Sequence, residues 1–326
     1  MTNQTDVASA PMMPGKQSMP GKPNLKCELF NDNFQNYKCF NIPKAQLILC
    51  DIPYNIGKDF YGSNPSWYVG GNRENGESKL AGKAAFHTDF TFNIAEFFHY
   101  ASRMLKADPK KKTAENAPPC IIMFCSFEQQ FQVIEKAREC GFKHYIPLVF
   151  VKNYSPQALK ANMRVVGATE YGLILYRDKL PKFRNERYTD AKGVEHGRMV
   201  FDWFEWTRDG KEIPRLHPTQ KPIALLEKLI SIFTDPGDVV IDTCAGSGST
   251  LRAAHNLGRP AYGFEVDKQR FKTVMESDML RFTENTDIKD STNPAPKDGA
   301  PLRTKEETNV QSENELGGCE VPARSL

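Results

Sequence analysis

The sequence predicts an α/β fold, with a doubly wound and mostly parallel sheet that carries helices on both faces. Short apolar runs of strand length alternate with segments of helical spacing between residues 45 and 280, which is the pattern of repeated βα units. With 326 residues and 40% hydrophobic content, the chain can also bury a full core. Two polar motifs directly follow apolar runs, so we expect both at the carboxyl edge of one sheet, where ligands bind in this architecture.

The first half of the predicted domain begins with the apolar run at residues 45–50, which reads AQLILC and stops at a polar turn. A nearly continuous apolar run of this length is typical of a strand that is buried on both faces. Helices are predicted where apolar residues recur at three- and four-residue spacing. The predicted strands are 45–50, 120–125, 145–151 and 171–176, and the predicted helices are 91–106 and 128–140, the second ending at Gly141.

The second half follows a polar segment that contains aromatic residues. Here the predicted helices are 223–233, 249–257 and 268–280, and the predicted strands are 239–241 and 261–264. A glycine-rich turn joins the strand at 239–241 to the next helix, and Gly258 favours the end of that helix. A strand, a crossover helix and another strand normally lie side by side in one parallel sheet.

Composition divides the chain into one domain with two tails. Residues 1–26 contain a tandem MPGK among Ser, Pro and Gln, and residues 283–326 are rich in Asn, Thr, Pro, Lys and Glu. Few of these side chains can pack, so we predict disordered tails on either side of a domain over residues 27–282. Within that domain, residues 57–83, 153–167 and 181–215 interrupt the βα pattern and are predicted to be small insertions.

Composition also restricts the class of protein. The sequence has no run of eighteen apolar residues and no apolar segment after a basic N-terminus, so we predict a cytoplasmic protein with no membrane partner. Its eight cysteines lack metal-ligand spacing, so we predict no metal site. The net charge is +3, but residues 152–221 hold fourteen Lys or Arg against nine Asp or Glu. That region is a candidate phosphate-facing surface, with a plain solvated face as the alternative.

The later polar motif is the turn DTCAGSGST at residues 242–250. Its glycines allow the backbone to approach a ligand closely. The dinucleotide fingerprint is broken because Leu251 occupies the third glycine position, which disfavours a nicotinamide-dependent oxidoreductase, and no phosphate-loop lysine follows. Glu265 ends the next predicted strand, where a carboxylate can accept hydrogen bonds from ribose hydroxyls. We therefore predict a nucleoside-binding turn, although such a turn can also be purely structural.

The earlier polar motif is Asp51-Ile52-Pro53-Tyr54. An exocyclic amine on a base is a poor nucleophile because its lone pair is delocalised into the ring. Asp51 and the Ile52 carbonyl can accept the amine hydrogens and release that pair, while Tyr54 can stack on a flipped-out base. Pro53 biases Ile52 toward an extended conformation, which fixes the direction of its carbonyl. Alone, the motif could simply terminate a strand.

Together the motifs resemble the amino-methyltransferases that use S-adenosylmethionine to modify DNA, in the circular order of the β class. In that family a DPPY-type catalytic motif precedes the glycine-rich cofactor motif, as residues 51–54 precede residues 242–250 here. A third element, HPTQKP at residues 217–222, resembles the segment that lies just before the cofactor motif in this class. The resemblance covers roughly residues 25–280 and implies a Rossmann-like methyltransferase sheet.

The resemblance implies site-specific methyl transfer from S-adenosylmethionine to the 6-amino group of an adenine flipped out of double-stranded DNA. Aspartate at the first motif position favours adenine over cytosine in the family. Ile52 departs from the usual proline but still supplies a backbone carbonyl. The implied catalytic residues are Asp51, Ile52, Pro53 and Tyr54, and the implied cofactor contacts are Asp51, His217, Thr219, Lys221, Asp242, Ala245, Gly246, Ser247, Phe264 and Glu265.

Two other functions stay open at this stage. The same fold could methylate the 4-amino group of cytosine, or Ile52 could mark a catalytically impaired DNA-binding relative. For DNA contact, residues 57–83 directly follow the catalytic motif, and residues 153–167 and 181–215 interleave basic and aromatic side chains that suit phosphate contact and base stacking. These insertions are short for a recognition domain, so a homodimer is a further possibility.

Overall fold

The computed structural model describes residues 25–54, 92–111, 113, 116–154, 167–217 and 219–282. Its strands are β1 (Cys27–Phe30), β2 (Leu47–Asp51), β3 (Cys120–Cys125), β4 (His144–Lys152), β5 (Thr169–Tyr176), β6 (Arg187–Thr189), β7 (Glu195–Gly197), β8 (Trp203–Trp206), β9 (Val240–Asp242) and β10 (Ala261–Phe264). Its α-helices are α1 (Ile94–Met104), α2 (Gln129–Glu139), α3 (Ile223–Phe233), α4 (Ser249–Asn256) and α5 (Lys268–Glu276), and Phe34–Cys39 forms a 3-10 helix. Within this part of the chain, every helix is too short or too polar to span a bilayer.

The main sheet has eight strands in the order β1-β10-β9-β2-β3-β5-β4-β8, and β6 pairs with β7 in a separate hairpin. Within the main sheet β5 alone runs against the other strands, because it pairs antiparallel with both β3 and β4. The remaining pairs are parallel. The predicted doubly wound, mostly parallel sheet is therefore confirmed.

Helices cover the sheet on both faces, as predicted. Side chains alternate along β2, so that Leu47 and Leu49 pack into one buried core and Ile48 and Cys50 into the other. Apolar residues of α3 and α4 belong to the first core, and those of α1 and α2 belong to the second. The sheet is thus buried on both sides, which is why its central strands read as apolar runs.

Within the predicted insertion at residues 181–215, β8 joins the edge of the main sheet beside β4. Alternation in this short strand exposes 48% of Trp203 but leaves Trp206 only 3% exposed. Trp206 therefore cannot stack on DNA as the sequence suggested, whereas Trp203 can. Four further elements were not predicted from the sequence: β1, β6, β7 and the 3-10 helix. The predicted insertion at 57–83, most of the one at 153–167 and nearly all of both predicted tails lie outside the described residues.

Candidate functional site

A cavity of about 210 Å³ opens at the carboxyl edge of the sheet, around the ends of β2 and β9. The chain leaves these two neighbouring strands toward opposite halves of the sheet, β2 toward β3 and β9 toward β10. Ligand crevices form at such switch points in open α/β sheets. All thirteen residues nominated from the sequence line the cavity, and their individual roles stay predictions. They are Asp51, Ile52, Pro53, Tyr54, His217, Thr219, Lys221, Asp242, Ala245, Gly246, Ser247, Phe264 and Glu265.

The glycine-rich turn connects β9 to α4 along one wall of this cavity. Gly246 has a φ of 53° and Gly248 a φ of 80°, a left-handed conformation that favours glycine. The Ala245 amide donates a 2.9 Å hydrogen bond to the Phe264 carbonyl, which ties the turn to β10. Left-handed glycines at this point let the backbone form the cavity wall without side chains in the way.

Leu251 breaks the dinucleotide fingerprint, and the structure shows what compensates for the missing glycine. In dinucleotide-binding folds the third glycine permits close contact between helix and strand. Here the small residue stands on the strand instead: a Cβ atom at Gly263 would lie 2.7 Å from Cδ1 of Leu251 and 3.0 Å from Cβ of Ala245. Helix α4 therefore packs closely on β10, although the Leu251 side chain that it presents there is large.

Two buried carboxylates, Asp242 and Glu265, flank the turn and accept hydrogen bonds from backbone amides, and Asp242 also accepts one from the Thr250 side chain. Asp242 accepts a 2.9 Å bond from the Cys244 amide, and burial raises its pKa to about 7. Glu265 accepts a 2.7 Å bond from the Asp267 amide, and Arg270 lies 3.5 Å from its other oxygen. Burial raises the pKa of Glu265, although Arg270 opposes the shift. A carboxylate offers about four lone-pair sites, so both acids keep acceptor capacity for a ligand.

The HPTQKP segment contributes His217, Thr219 and Lys221 to the lining of the same cavity. His217 Nδ1 accepts a 3.2 Å bond from the Thr219 amide, and the Thr219 hydroxyl lies 2.7 Å away. Burial, followed by the positive charges of Arg270 and Lys221, lowers the pKa of His217 to about 4, so the ring is neutral at physiological pH. Phe264 lies in the same cavity, but its ring is packed in the aromatic core and is only 1% exposed.

Asp51 ends β2 and presents its carboxylate to the cavity. Lys221 Nζ lies 2.5 Å from Oδ2, whereas Oδ1 is buried without a hydrogen-bond partner among the described residues. Burial raises the pKa of Asp51, and the Lys221 ammonium opposes this shift. One oxygen is thus fixed by a cation while the other is available to a hydrogen-bond donor from a ligand.

The rest of the catalytic motif is anchored by the neighbouring strand and helix. The Ile52 side chain is 1% exposed and belongs to the core, and its amide donates a 3.2 Å bond to the Phe124 carbonyl. The Pro53 carbonyl accepts a 2.8 Å bond from Gln129 Nε2 at the start of α2. Isoleucine is accommodated here because its side chain packs in the core, and its amide makes a bond that the usual proline could not make.

Glu170, which the sequence analysis missed, lies beside Asp51 and Tyr54. Its Oε2 accepts a 3.1 Å bond from the Tyr54 hydroxyl and lies 3.1 Å from Lys221 Nζ, and its Oε1 pairs with Lys152. Burial alone would raise the pKa of Glu170, but the ammonium groups of Lys221 and Lys152 outweigh burial and lower it. No motif marks Glu170 or Lys152, and only the strand pairing brings them to this edge.

Aromatic rings enclose the two lysines. The Nζ atom of Lys221 lies 5.0 Å from the ring centroid of Phe124 and 5.2 Å from that of Trp206. The Nζ atom of Lys152 lies 4.5 Å from the same Trp206 ring. These separations suit cation–π attraction, which stabilises an ammonium group that has lost part of its water.

Known proteins share both the sequence pattern and the fold. Residues 45–276 match the model of a family described as DNA methylase, which covers N6- and N4-methyltransferases. The chain is 25% identical over 259 residues to DNA adenine methyltransferase YhdJ of Escherichia coli, which covers 76% of this chain and 80% of that protein. It is 21% identical over 237 residues to type II methyltransferase M.HpaI of Haemophilus parainfluenzae, covering 71% and 67%.

Solved structures give the same fold. M1.HpyAVI superposes with a TM-score of 0.51 at 19% identity, covering 78% of this chain and 99% of that one. PvuII DNA methyltransferase, described as cytosine-N4-specific, gives a TM-score of 0.51 at 15% identity, covering 81% and 92%. The family match includes the catalytic motif, HPTQKP and the cofactor turn. The chain thus belongs to the DNA methylase family and uses S-adenosylmethionine as its methyl donor.

Proposed function

We propose that this protein transfers a methyl group to the 6-amino group of adenine in double-stranded DNA after the base has flipped out of the helix. The observation that carries the proposal is the buried Oδ1 atom of Asp51, which has no partner among the described residues and lines the same cavity as the glycine-rich turn. Leaving a buried acceptor without a hydrogen bond costs free energy, and a ligand that donates a hydrogen bond to it removes that cost. An exocyclic amine is such a donor.

The residues around the turn fit the methyl donor. When bound, S-adenosylmethionine supplies an electrophilic methyl group on a positively charged sulfur. Glu265 has acceptor capacity for ribose hydroxyls, and the left-handed backbone at Gly246 permits close approach. Asp242 is a buried acid that no lysine or arginine neutralises among the described residues, so its negative charge favours a cationic ligand.

The catalytic motif then orients and activates the amine. Oδ1 of Asp51 and the carbonyl of Ile52 accept its two hydrogens, which draws the nitrogen toward a tetrahedral geometry and frees its lone pair. The Tyr54 ring stacks on the base and directs the nitrogen at the methyl group. After transfer the nitrogen carries an excess proton, and Asp51, whose pKa is raised by burial, accepts it. Positioning and amine polarisation supply most of the catalysis.

Adenine is favoured over cytosine by two facts. The catalytic motif starts with Asp51, and the relative YhdJ is named a DNA adenine methyltransferase. Both bases carry an amine conjugated to the ring, so the free Asp51 oxygen suits either of them. The test is to incubate the protein with labelled S-adenosylmethionine and duplex DNA, digest the DNA and identify the methylated nucleoside. N6-methyladenine supports the proposal, N4-methylcytosine supports the alternative, and cofactor binding without transfer indicates an impaired relative.

DNA contact through residues 181–215 is part of the proposal. On the β6–β7 hairpin the Arg198 guanidinium lies 5.4 Å from the Tyr188 ring centroid, and both residues are exposed. Phe201 and Trp203 are 60% and 48% exposed, and their rings stack 6.4 Å apart. Basic and aromatic side chains together suit phosphate contact and base stacking. A homodimer that completes recognition and a cytoplasmic location likewise remain proposals.

A further inference from the structure

Four charges of alternating sign, carried by two buried lysines and two partly buried carboxylates, form a continuous row that includes the first residue of the catalytic motif. Asp51 contacts Lys221 at 2.5 Å, Lys221 contacts Glu170 at 3.1 Å, and Glu170 contacts Lys152. The side chains of Lys152 and Lys221 are 6% and 8% exposed. The row is electrically neutral, so no buried charge is left without an opposite neighbour.

The row joins two motif residues, Asp51 and Lys221, to two residues outside any motif, and the sheet topology explains why they meet. Most strands bring their last residue to the carboxyl edge, as β4 does with Lys152. Because β5 is antiparallel, it brings its beginning there instead, and Glu170 is its second residue. Glu170 therefore reaches Lys221 and Tyr54 from a side of the cavity that the parallel strands cannot supply.

We propose that Glu170 and Lys152 are positioning residues for methyl transfer, which keep Oδ1 of Asp51 free for the substrate amine. Glu170 holds Lys221 and the Tyr54 hydroxyl on its own oxygens, and Lys152 balances the charge that Glu170 brings. This inference rests on the proposed role of Asp51 as the acceptor of the amine.

The available hydrogen-bond donors explain why Glu170 is needed. Lys221 has three N–H donors, and without Glu170 they would turn to both oxygens of Asp51. The Tyr54 hydroxyl, which donates to Glu170 and already lies near enough to Asp51 to lower its pKa, would lose its Glu170 acceptor and turn to Asp51 instead. Without Lys152, a buried Glu170 would lack its second cation and would compete with Asp51 for Lys221. Either loss disturbs Asp51, but with opposite electrostatic effects.

The opposite effects predict opposite changes in pH dependence. Removing the negative charge of Glu170 lowers the pKa of Asp51, because a like charge nearby raises it. Removing the positive charge of Lys152 raises the pKa of Asp51. Asp51 must be ionised to accept the amine, so activity is lost as the pH falls through its pKa. The titratable groups that face Asp51 are Lys221, Glu170, Tyr54, Asp242 and the thiols of Cys50, Cys125 and Cys244.

The test compares Glu170→Gln, Lys152→Met and the double variant in the full-length protein, with kcat measured across pH. We expect the acidic limb of kcat to move to lower pH by about one unit in Glu170→Gln and to higher pH by a similar amount in Lys152→Met. The neutral double variant should return close to the original limb. Each single variant should lose kcat about 10- to 100-fold while the KM for S-adenosylmethionine stays within about twofold.

An exposed pair provides the matched control. Lys136 and Glu139 form a 2.8 Å ion pair on α2 with side chains 31% and 54% exposed. Lys136→Met and Glu139→Gln repeat the same chemical changes away from the cavity and should leave the acidic limb in place.

If the acidic limbs of kcat in Glu170→Gln and Lys152→Met move in the same direction, or do not move, the inference is overturned and Glu170 is only a packing residue. If Glu170→Gln does not fold, Glu170→Asp replaces it: the charge is kept but withdrawn by one methylene, so kcat should fall with a smaller shift to lower pH. An unsubstituted protein that methylates no DNA refutes the proposed function itself. If the unsubstituted protein is active but the pH profiles of the two single variants do not shift in opposite directions, the inference alone fails and the proposed function stands.

Discussion

The acidic side chains in the two halves of the cavity have different hydrogen-bond and charge partners. On the cofactor side, Asp242 accepts hydrogen bonds from the Cys244 amide and the Thr250 side chain, Glu265 accepts one from the Asp267 amide and lies near Arg270, and burial raises the pKa of both acids. On the catalytic side, Asp51 and Glu170 share Lys221. The first half keeps negative charge that a cationic ligand can neutralise, whereas the second supplies its own cations and can receive a neutral base. In the proposed function, this difference in charge would direct the cationic cofactor and the neutral base to different parts of one sheet edge.

The largest expected effect comes from removing the acceptor on the catalytic side. Asp51→Ala deletes Oδ1 and should lower the rate of methyl transfer about 10³-fold or more, because amine activation and positioning are both lost. Binding of S-adenosylmethionine, measured by isothermal titration calorimetry, should change little. Asp178→Ala, at an exposed ion pair with Lys143, is the control and should keep normal activity. A near-normal rate in Asp51→Ala would remove Asp51 from the mechanism.

Tyr54 distinguishes stacking from hydrogen bonding within the catalytic half. Tyr54→Ala removes the ring and should slow single-turnover transfer about 10- to 100-fold, since stacking of a base on an aromatic side chain contributes about 1–3 kcal/mol. Tyr54→Phe keeps the ring but loses the 3.1 Å bond to Glu170, and it should slow transfer only a few-fold. Equal losses in the two variants would show that the hydroxyl, rather than the ring, is what matters.

The sequence predicted the cavity through the ends of parallel strands but not its second ion pair. Motifs that follow β2 and β9 had to meet at one edge, because carboxyl ends of parallel strands always do. Glu170 lies at the beginning of β5, and its position depends on that strand running antiparallel between β3 and β4. Strand direction is decided by long-range pairing that leaves no local pattern, so Glu170 could not be nominated. Lys152 does follow a predicted strand, but no motif marks it and its partner Glu170 was unknown.

Asp242 tests whether the cofactor half relies on uncompensated charge. Asp242→Asn keeps an acceptor for the Cys244 amide but removes the charge. At pH 8 we expect the affinity for S-adenosylmethionine to fall about tenfold or more, as for a lost charge-assisted contact. The affinity of the unsubstituted protein should itself weaken as the pH falls below about 7, where Asp242 becomes protonated. An unchanged affinity in Asp242→Asn would show that its charge does not contribute to binding.

The same variant should be more stable in the absence of cofactor. Burial raises the pKa of Asp242 from 3.8 to about 7, so the folded protein holds this proton more tightly than the unfolded chain does. The free energy of unfolding therefore decreases as the pH rises from about 4 to 7, by about 2–4 kcal/mol for this group. Asp242→Asn lacks this loss, so its Tm advantage over the unsubstituted protein should grow between pH 5 and pH 8.

The smallest effects should come from substitutions that overpack the core, and one such substitution can be made in each half of the cavity. Gly263→Ala places a Cβ atom 2.7 Å from Leu251, whereas Gly172→Ala on β5 places one 3.0 Å from the Met123 carbonyl oxygen. Each should lower the free energy of unfolding by about 1–3 kcal/mol, as overpacking does. Gly263→Ala displaces the helix that carries the turn and should weaken cofactor affinity a few-fold, while Gly172→Ala, two residues from Glu170, should lower kcat and spare that affinity. If both variants changed both quantities alike, the two halves would behave as one mechanical unit, and their different charge arrangements would not separate their functions.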